Sequence, residues 1–559
     1  MERRWHKVWP QWVPKMLELK KPTSEYVREW GRLRPNAIAL SFYGRDLTYG
    51  ELNGMIDRMA WVLIDLGVKK GDRVAIHMGN SPQFVIAYFA VQRAGGAVVP
   101  VNPMFKQAEL EYEIRDAGVE TLIGLDSTYR EIEKVRSRTP LKNVILSSLR
   151  DFLPDKPVLP LPPEAKGAKH SFPDTLDFLQ LMEKSKDRPI CNVTDLETEL
   201  ALLQYTGGTT GTPKGAMISH YALANASVGT MHWYQSREND VFLGVTPFFH
   251  VMGQVTQMCS ALVSGGRIIV LSRFVPDVVA QAVMHFRCTH WVGATTMMIR
   301  FLDLPNIKDY DFSSLRCVVT GGAPISVELQ KKLKELLPEV VLVEGYGLTE
   351  STSQGGACTP LYQYKPGFVG IPQLNTDMKI VDLETGTREL GPNEVGEIVV
   401  QSASLMLGYW NKPEDTKGML REGWLHTGDT GLMDEEGYVK FLGRTRELIK
   451  CSGFSVFPAE VEDLLFRHPA VKEVAVIGVN DPYRGETPKA FIALKEGYEG
   501  KTTEVEILEW CKDNMAAYKR PRFIEFRKEL PKSSAGKILK RILAEGEKEN
   551  PTAQALQQK

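Results

Sequence analysis

The alternation of apolar and polar positions divides the first 200 residues into short buried strands and amphipathic helices. The apolar runs of strand length are residues 73–78, 97–101, 121–124 and 200–203. Thr48 and Glu51 have the spacing of a capping box, which predicts a helix that runs toward Gly67. Ser81 followed by Pro82 predicts the start of a second helix, which ends near residue 94. This β-α-β order predicts a parallel sheet covered by helices on both faces.

The same alternation resumes at residue 241 and predicts a second α/β layer. Its predicted strands are residues 267–271, 291–293, 317–320 and 340–344. Between the two layers, residues 149–186 contain six prolines and interrupt the pattern. We interpret them as a surface excursion rather than a domain linker. Short strands at 378–381 and 397–400, separated by a turn, predict a small antiparallel sheet or barrel.

The last unit, residues 446–559, has the pattern β-β-α-β-β-α, with strands at 474–479 and 490–494. A capping box at Thr503 and Glu506 predicts the start of one of its helices. The predicted fold class is therefore α/β. A large N-terminal domain, residues 1–445, holds two doubly wound α/β subdomains plus a small β-barrel-like subdomain, and residues 446–559 form a small α+β C-terminal domain.

Length, charge and cysteine usage narrow the classes of function. A chain of 559 residues is too long for one core. Its net charge of −1 argues against a nucleic-acid surface or a polybasic membrane anchor. Residues 84–101 are the most apolar stretch, but Gln92 and Arg93 interrupt it, so no transmembrane segment is predicted. The seven cysteines are far apart and form no C-x-x-C pair, so a reducing cytoplasm fits best.

Three tryptophans near the N-terminus, Trp5, Trp9 and Trp12, have helical spacing among basic residues. That pattern is typical of an interfacial helix, but Pro10 and Pro14 would break such a helix. We therefore expect an extended arm that packs its tryptophans on the body of the protein. Peripheral contact with a membrane stays open.

The stretch 205–215 contains four glycines, four threonines and Lys214 between a predicted strand and a helical pattern that begins at Ile218. Glycines free backbone N–H groups to face one concavity, and a helix N-terminus beside it would favour an anion. Lys214 precedes Gly215, whereas the P-loop of kinases and GTPases ends in Gly-Lys-Ser/Thr. This stretch predicts phosphate binding without identifying the phosphate, and a flexible surface loop is the alternative.

Six further loops fall at predicted strand ends, where doubly wound sheets bind ligands. They are residues 247–253, 320–324, 344–351, 424–429, 443–444 and 531–537. Together and in this order they resemble the adenylate-forming (ANL) superfamily, which includes acyl-CoA synthetases, peptide-synthetase adenylation domains and beetle luciferases. The resemblance covers residues 28–541. It is greatest to bacterial-type fatty acyl-CoA synthetases, on residues 424–437, 452–458 and the N-terminal arm.

The resemblance implies an ATP-dependent fatty acid–CoA ligase. The acid would attack the α-phosphate of ATP to give acyl-AMP and pyrophosphate, and the thiol of coenzyme A would then take the acyl group. ATP, Mg²⁺ and the co-substrate coenzyme A are the implied cofactors. The C-terminal domain of the family is mobile and rotates between the half-reactions, with Arg446 as the implied hinge, a position where lysine or aspartate is usual.

The resemblance also assigns roles to individual residues. The catalytic residues would be Lys537, Thr349, Glu350 and His250, with Glu350 also the Mg²⁺ ligand. The ATP phosphates would be bound by Thr206, Gly207, Gly208, Thr209, Thr210, Gly211 and Lys214. Adenine and ribose would be bound by Gly322, Ala323, Pro324, Gly345, Tyr346, Gly347, Asp429 and Arg444. The acyl pocket would be lined by Phe249, His250, Val251, Met252 and Gly253. The thioester-forming arrangement would use Lys450, Ser452, Gly453 and Phe454.

Each assignment has an ordinary structural alternative. Glu350 would otherwise cap a helix, Asp429 and Arg444 would form a surface ion pair, and His250 would be a satisfied structural histidine. Gln254 stands where some long-chain members carry a gating tryptophan, so the medium- to long-chain acid that we expect could have a shorter length limit.

Other functions compatible with these motifs stay open. They are an aryl- or short-chain acyl-CoA ligase, an enzyme that adenylates an acid for a carrier protein in trans, and a nucleotide-binding regulator without catalysis. The expected partners are small molecules only, with no nucleic acid, and a homodimer stays open.

Overall fold

The computed structural model describes residues 3–186, 188–206, 213–322, 325–451, 454–533 and 536–549. Its strands are β1 Ile38–Phe42, β2 Arg45–Thr48, β3 Arg73–His77, β4 Ala97–Val101, β5 Thr121–Leu125, β6 Asn143–Ser147, β7 Leu176–Asp177, β8 Leu200–Thr206, β9 Lys214–Ser219, β10 Val241–Gly244, β11 Arg267–Val270, β12 His290–Ala294, β13 Cys317–Gly321, β14 Val341–Tyr346, β15 Ala357–Cys358, β16 Ile371–Pro372, β17 Thr376–Val381, β18 Gly396–Ser402, β19 Gly408–Tyr409, β20 Leu420–Arg421, β21 Trp424–Met433, β22 Val439–Arg444, β23 Ile449–Cys451, β24 Phe454–Val456, β25 Val471–Asp481, β26 Gly485–Leu494 and β27 Phe523–Phe526.

Fifteen α-helices accompany these strands in the part of the chain that the structure describes. They are α1 Thr23–Leu33, α2 Tyr49–Asp65, α3 Pro82–Ala94, α4 Gln107–Ala117, α5 Tyr129–Arg136, α6 Phe178–Glu183, α7 His220–Trp233, α8 Ser260–Ser264, α9 Pro276–Phe286, α10 Thr295–Leu302, α11 Val327–Leu336, α12 Pro413–Met419, α13 Pro458–Phe466, α14 Glu504–Asn514 and α15 Lys540–Glu549. A π-helical segment, Gly253–Cys259, leads directly into α8.

Four sheets organise the molecule, and the predicted α/β fold class is confirmed. The first sheet has the order β19-β9-β8-β4-β3-β5-β6-β7 and is parallel from β8 to β7. The second has the order β16-β15-β14-β13-β12-β10-β11-β1-β2 and is parallel from β14 to β1. A five-stranded antiparallel sheet, β17, β18 and β20–β22, is the predicted small third unit. The strands β23–β27 form the sheet of the C-terminal unit.

The helix between the two large sheets explains the most apolar stretch of the sequence. Every residue of α3 is buried, and a helix buried on all sides needs no polar face. Arg93, which interrupts the apolar run, is buried and donates to Asp57 at 2.8 Å and to the Ser24 carbonyl at 2.8 Å. This pairing satisfies a charge inside the protein. Among the described residues, no helix is long and apolar enough to cross a bilayer.

Local signals in the sequence placed several helix starts correctly. Thr48 and Glu51 form the predicted capping box of α2. Ser81 caps α3 with proline at its first turn, as predicted. The Thr503 hydroxyl accepts from the Glu506 N–H at the start of α14. These caps depend on residues close in sequence, which is why the sequence shows them.

The prediction of a helical pattern from Ile218 is wrong. Residues Lys214–Ser219 form β9, which pairs antiparallel with β8, and the helix begins only at His220, where Ser219 accepts from the Ala222 N–H. The stretch predicted to bind phosphate, residues 205–215 (the phosphate loop), therefore joins the two strands of a hairpin and does not lie at a helix N-terminus. A short apolar run next to a helix start does not by itself distinguish a strand from a helical turn.

Three further features differ from the sequence prediction. The strands β1 and β2 precede the first sheet in sequence but belong to the second, because β1 pairs parallel with β11. The proline-rich excursion contributes β7, which pairs parallel with β6, and helix α6. In the C-terminal unit, β27 and α15 add one strand and one helix to the predicted pattern. Each of these strands is positioned by pairing with a segment distant in sequence, which the local alternation of apolar and polar residues does not indicate.

The N-terminal arm packs its tryptophans on the body, as expected. Trp5 is buried, and its backbone lies against Gly437. Trp9 packs edge-to-face on Trp233 with ring centroids 5.4 Å apart. Trp12 packs on Tyr362 in the same manner at 6.2 Å. The arm thereby covers the end of α7 and one face of the third unit.

Candidate active site

A cavity of about 1130 Å³ opens at the carboxyl ends of β12, β13 and β14. Its walls come from the second sheet, from the ends of β21 and β22, and from the C-terminal unit. Carboxyl ends of parallel strands are where doubly wound sheets bind ligands. The predicted site residues that line it are Thr206, Lys214, His250, Val251, Met252, Gly322, Gly345, Tyr346, Gly347, Thr349, Glu350, Asp429, Arg444, Arg446 and Lys537. Gly207, Gly208, Thr209, Thr210, Gly211, Ala323, Pro324, Ser452 and Gly453 lie outside the described residues.

Tyr346, Asp429 and Arg444 form one polar wall of this cavity. The Tyr346 hydroxyl donates to Asp429 Oδ2 at 2.8 Å, and Arg444 Nε lies 3.4 Å from Asp429 Oδ1. Burial raises the pKa of Asp429, while Arg444 and Tyr346 oppose that shift. Asp429 Oδ1 is buried and accepts no hydrogen bond from the residues that the structure describes, although Arg444 forms an ion pair with it. A buried acceptor in a cavity that accepts no hydrogen bond is suited to a hydroxyl donor of a ligand.

The glycines beside Tyr346 have different roles. A Cβ on Gly345 would meet nothing closer than 3.9 Å, so this side leaves space for a flat ligand. A Cβ on Gly347 would lie 1.8 Å from the Ser353 carbonyl oxygen, so glycine is required there by the fold of the loop. Gly347 is therefore constrained by the fold of the loop, whereas Gly345 leaves space beside Tyr346.

The base of the phosphate loop is held by residues outside it. Thr206 and Lys214 are directly opposite each other in the β8–β9 hairpin, and both line the cavity. The Tyr112 hydroxyl donates to the Pro213 carbonyl at 2.8 Å, and the Tyr205 hydroxyl donates to Asp116 at 2.6 Å. Helix α4 therefore fixes where the loop leaves and re-enters the sheet.

Two carboxylates face the phosphate side of the cavity. Asp415 of α12 forms an ion pair with Lys214, whose ammonium also lies 5.4 Å from the centre of the Tyr409 ring. Glu350 Oε1 accepts from the Tyr409 hydroxyl at 2.6 Å. The described residues contain no group of three or more metal-binding side chains. Glu350 lines the cavity as a single carboxylate, which fits a Mg²⁺ ion that takes its other ligands from phosphate and water.

His250 and Lys537 approach the cavity from opposite units. The N–H of Met252 donates to His250 Nδ1 at 3.3 Å, which leaves the proton of the neutral ring on Nε2. Burial, with a smaller contribution from the Lys537 ammonium, lowers the pKa of His250 to about 4. His250 is therefore neutral at pH 7 and can donate through Nε2 without adding charge.

Lys537 is held at the cavity by the segment that precedes α15. A Cβ on Gly536 would lie 2.3 Å from the Thr296 hydroxyl at the start of α10, so this segment docks closely on the second sheet. The Lys537 side chain is open to water inside the cavity, although protein surrounds it on most sides. That surrounding protein, together with Arg444, lowers the pKa of Lys537. The C-terminal unit thus brings one mobile cation to the site.

The apolar branch of the cavity differs from the predicted acyl pocket. Val251 and Met252 line it together with Thr256, Val292 and Val319. Phe249 and Gly253 do not line it. A Cβ on Gly253 would lie 2.2 Å from the Pro247 carbonyl oxygen, so this glycine serves close backbone packing.

Gln254, which sequence placed at a gating position, is fully buried and also does not line the cavity. Its amide donates to Gln204 Oε1 at 2.8 Å, and the Gln204 amide donates to the Phe249 carbonyl at 3.2 Å. Gln254 therefore holds the wall in place behind the branch, and other side chains must set its length.

Lys450 and Phe454, the two predicted thioester-forming residues that the structure describes, do not line the cavity. The Lys450 ammonium donates to the Ser455 hydroxyl at 2.9 Å, and Phe454 stacks on Tyr518 with ring centroids 4.6 Å apart. Arg446 lies in a 3₁₀ turn, Thr445–Glu447, where β22 ends and the last unit begins. In this arrangement Lys537 faces the cavity, and the Lys450 segment does not.

Two residues that sequence reasoning did not single out are part of the cavity wall. Glu344, at the end of β14, is buried, which raises its pKa to about 8, so it is neutral at pH 7. Its Oε1 accepts from the Ile325 N–H at 3.4 Å. A carboxylate at the end of an apolar strand was the available signal. Asp415 offered no signal, because its pairing with Lys214 spans 201 residues of sequence.

A nucleotide-sized polar pocket beside an apolar branch, with a lysine supplied by a small C-terminal unit, defines the class of adenylate-forming enzymes. Comparison with known proteins agrees with this class. The AMP-binding enzyme family model matches residues 27–410, and the AMP-binding enzyme C-terminal domain model matches residues 460–537. The chain belongs to the family of AMP-binding enzymes, which confirms the resemblance seen in the sequence.

Relatives and solved structures span nearly the whole chain. A long-chain-fatty-acid–CoA ligase of Bacillus subtilis (strain 168) is 38% identical over 558 residues, covering 98% of this chain and 99% of that protein. The structure of the anthranilate CoA ligase AuaEII with anthranoyl-AMP matches with a TM-score of 0.86 at 27% identity, covering 95% and 98% of the two chains. ATP-bound MatB from Rhodopseudomonas palustris matches with a TM-score of 0.83 at 28% identity, covering 94% and 99%.

Proposed function

We propose that the protein is an ATP-dependent fatty acid–CoA ligase, an acid–thiol ligase that forms AMP. The observation that carries this proposal is the joining of two environments in one cavity. Asp429 offers a buried carboxylate oxygen that accepts no hydrogen bond from the described residues at the polar end, and Val251, Val292 and Val319 line an apolar branch. A substrate with a nucleotide at one end and an aliphatic chain at the other, which describes a fatty acyl-adenylate, fits both. The long-chain-fatty-acid–CoA ligase relatives support it.

The positions of the residues in the cavity support the following roles. Asp429 would accept the ribose hydroxyls, with Arg444 beside it, and Tyr346 would lie against adenine. Thr206, Lys214 and Thr349 would bind phosphate oxygens. Glu350 would hold a Mg²⁺ ion, which would supply positive charge beside the phosphates.

At the reacting end, the attacking acid carries a negative charge toward a phosphate that is already anionic. Lys537 would lie between the two and neutralise charge as it develops. His250, neutral at pH 7, would donate a hydrogen bond to the acid and hold the acyl end of the cavity. Together these two residues would position the carboxylate for in-line attack.

The second half-reaction needs another arrangement of the C-terminal unit. We propose that this unit, taken as residues 446–559, turns about Arg446 and exchanges Lys537 for the segment with Lys450, Ser452, Gly453 and Phe454, which would border the coenzyme A thiol. The distance of Lys450 and Phe454 from the cavity supports a movement of this kind, because they would have no role where they lie now. Cytoplasmic localisation, a homodimer and peripheral membrane contact are kept as predictions from sequence.

A second candidate is an aryl-CoA ligase, which the match to AuaEII favours, since that protein is named an anthranilate CoA ligase. Transfer to a carrier protein in trans is a third. Kinetics with aliphatic and aromatic acids would distinguish these candidates.

The acid specificity is the direct test of the proposal. Each methylene buried in the apolar branch should add roughly 0.8 kcal/mol, or about fourfold in kcat/KM, until the branch ends. We therefore expect kcat/KM, measured as acid- and coenzyme A-dependent AMP release from C2 to C18 acids, to rise steeply and then level or fall. A maximum at acetate or at an aromatic acid would contradict the proposal, and acid-dependent ATP–pyrophosphate exchange without coenzyme A-dependent AMP release would favour the carrier-protein alternative.

Asp415 provides a test of the phosphate side. Its ion pair with Lys214 must be broken before Lys214 can bind an ATP phosphate, so Asp415→Asn should lower the KM for ATP by about two- to fivefold, the range of a partly exposed pair. Glu414→Gln is the matched control, because it removes one negative charge at the neighbouring position, where Glu414 pairs with Lys417 and not with Lys214. Equal KM values for wild type and Asp415→Asn would show that Lys214 does not bind ATP.

A further inference from the structure

One tyrosine contacts two of the side chains at the phosphate end of the cavity. The Tyr409 hydroxyl donates to Glu350 Oε1 at 2.6 Å, and the Lys214 ammonium lies 5.4 Å from the centre of the Tyr409 ring. Tyr409 lines the cavity and is only 6% exposed. It belongs to none of the motifs that the sequence analysis singled out. Its two contacts allow it to influence where both charged groups lie.

The backbone of Tyr409 is held on the β8–β9 hairpin of the first sheet. Strand β19 pairs antiparallel with β9, with Tyr409 opposite Ala216. The Tyr409 N–H donates to the Thr416 hydroxyl at 2.8 Å. The preceding Gly408 has a φ of 144°, which favours glycine, and a Cβ there would lie 2.8 Å from the Thr416 methyl group. The first sheet and the start of α12 therefore fix the position of the tyrosine.

Glu350, in contrast, lies on a loop of the second sheet, in the 3₁₀ turn Thr349–Ser351 that follows β14. Its backbone carbonyl accepts from the Met406 N–H at 2.8 Å, and its side chain accepts from Tyr409. One short segment, residues 406–409, thus holds both the backbone and the carboxylate of Glu350. The described residues donate no hydrogen bond to Glu350 Oε2, which leaves this oxygen for a ligand.

The direction of this carboxylate matters for metal binding. Mg²⁺ tolerates little departure from octahedral geometry, so a carboxylate ligand must present its oxygen along one direction. A hydrogen bond to Oε1 fixes the plane of the Glu350 carboxylate and thereby directs Oε2. Burial, together with the charge of Glu350, raises the pKa of Tyr409, so the hydroxyl keeps its proton and remains a donor.

We propose that Tyr409 is a positioning residue whose hydroxyl directs the Glu350 carboxylate toward the divalent metal that accompanies ATP. This inference rests on the proposed function. It gives the hydrogen bond between Tyr409 and Glu350 a role in metal affinity, which a hydroxyl that is bonded only for the sake of folding would not have.

The experiment measures binding and requires no turnover. Mn²⁺ replaces Mg²⁺, α,β-methylene-ATP replaces ATP because its methylene bridge is not cleaved, and free Mn²⁺ is quantified by electron paramagnetic resonance. Tyr409→Phe removes the hydroxyl but keeps the ring against Lys214. Tyr310→Phe is the matched control, because the Tyr310 hydroxyl also donates to a carboxylate, Asp277 Oδ1 at 2.5 Å, but does not line the cavity.

Tyr409→Phe should weaken Mn²⁺ binding in the presence of the analogue by about 10- to 100-fold, the range for loss of a group that orients a metal ligand. The Kd of the analogue measured in EDTA should stay at the wild-type value, because Lys214 keeps its contact with the ring. In a Glu350→Gln background, Tyr409→Phe should cause no further loss of Mn²⁺ affinity, because the two residues act as one unit. Tyr310→Phe should match wild type in each measurement.

An unchanged Mn²⁺ affinity in Tyr409→Phe, or a loss that adds fully to that of Glu350→Gln, would overturn the proposal. An equal loss of affinity for Mn²⁺ and for the metal-free analogue would also overturn it, because the tyrosine would then be only structural. Failure of the proposed function gives a different result: wild type would bind Mn²⁺ with the analogue as expected, but no acid would cause coenzyme A-dependent AMP release.

Discussion

Lys537→Ala is expected to lower acid-dependent ATP–pyrophosphate exchange by about 10²- to 10³-fold, the effect of removing one preorganised group that stabilises developing charge. Lys537 is the residue of the C-terminal unit whose ammonium enters the cavity from the segment before α15. In the proposed second arrangement it has left the cavity. Thioester formation from supplied acyl-adenylate and coenzyme A should therefore stay near the wild-type rate.

The control is Lys528→Ala, an exposed lysine of the same unit that lies outside the cavity, which should leave both half-reactions unchanged. An equal loss in both half-reactions would contradict the role of Lys537, because it would indicate a general defect. A loss confined to thioester formation would reverse the assignment of the two arrangements.

The pH dependence gives an independent measurement of the same residue. Burial and the neighbouring Arg444 lower the pKa of Lys537, so its charged form is lost at a lower pH than for an ordinary lysine. Exchange that needs the ammonium should therefore decline as the pH rises through that lowered pKa. In Lys537→Arg the guanidinium keeps its charge, so any remaining exchange should show no decline in this range. His250 titrates near pH 4 and does not contribute to the alkaline side.

The sequence predicted those parts of the fold that local order determines. Apolar runs gave β3, β4 and β5 within one residue, and the caps at Thr48 and Ser81 gave the helix starts. The motif loops at strand ends converge on one cavity because carboxyl ends of parallel strands share one edge. The family resemblance singled out Tyr346 and Asp429, and both line this cavity, but the hydrogen bond between them could not be predicted.

What the sequence did not show depends on contacts between distant segments. Strand β9 pairs with β8, and β1 pairs with β11. The local sequence of β9 or β1 does not indicate which other strand it will pair with. The same holds for the Lys214–Asp415 ion pair. Gln254 is the reverse case. Its position was expected to gate the site, but in the π-helical segment its side chain is buried and bonded to Gln204 behind the cavity wall.

Arg446→Pro should separate the two half-reactions in the opposite sense from Lys537→Ala. Proline fixes φ near −65°, a value compatible with the 3₁₀ turn in which Arg446 now lies, so the present arrangement should persist. Exchange of ATP and pyrophosphate should then stay close to wild type. Coenzyme A-dependent thioester formation should fall by more than about tenfold, which corresponds to roughly 1.4 kcal/mol in the barrier, because the unit cannot turn at this bond.

The turn would have to break contacts between the two units, among which Lys472 lies 3.5 Å from Asp303. The ion pairs of Lys540 with Glu447 and Glu462 lie within the C-terminal unit and would move with it. The surface pair of Lys472 and Asp303 contributes little. Arg446→Ala is the matched control, because it removes the same guanidinium but leaves φ free, and it should keep both half-reactions. If Arg446→Pro turned over acid, ATP and coenzyme A at the wild-type rate, the pivot would have to lie at another bond. If Arg446→Ala and Arg446→Pro lost thioester formation equally, the missing guanidinium would explain the loss and the backbone restriction would not.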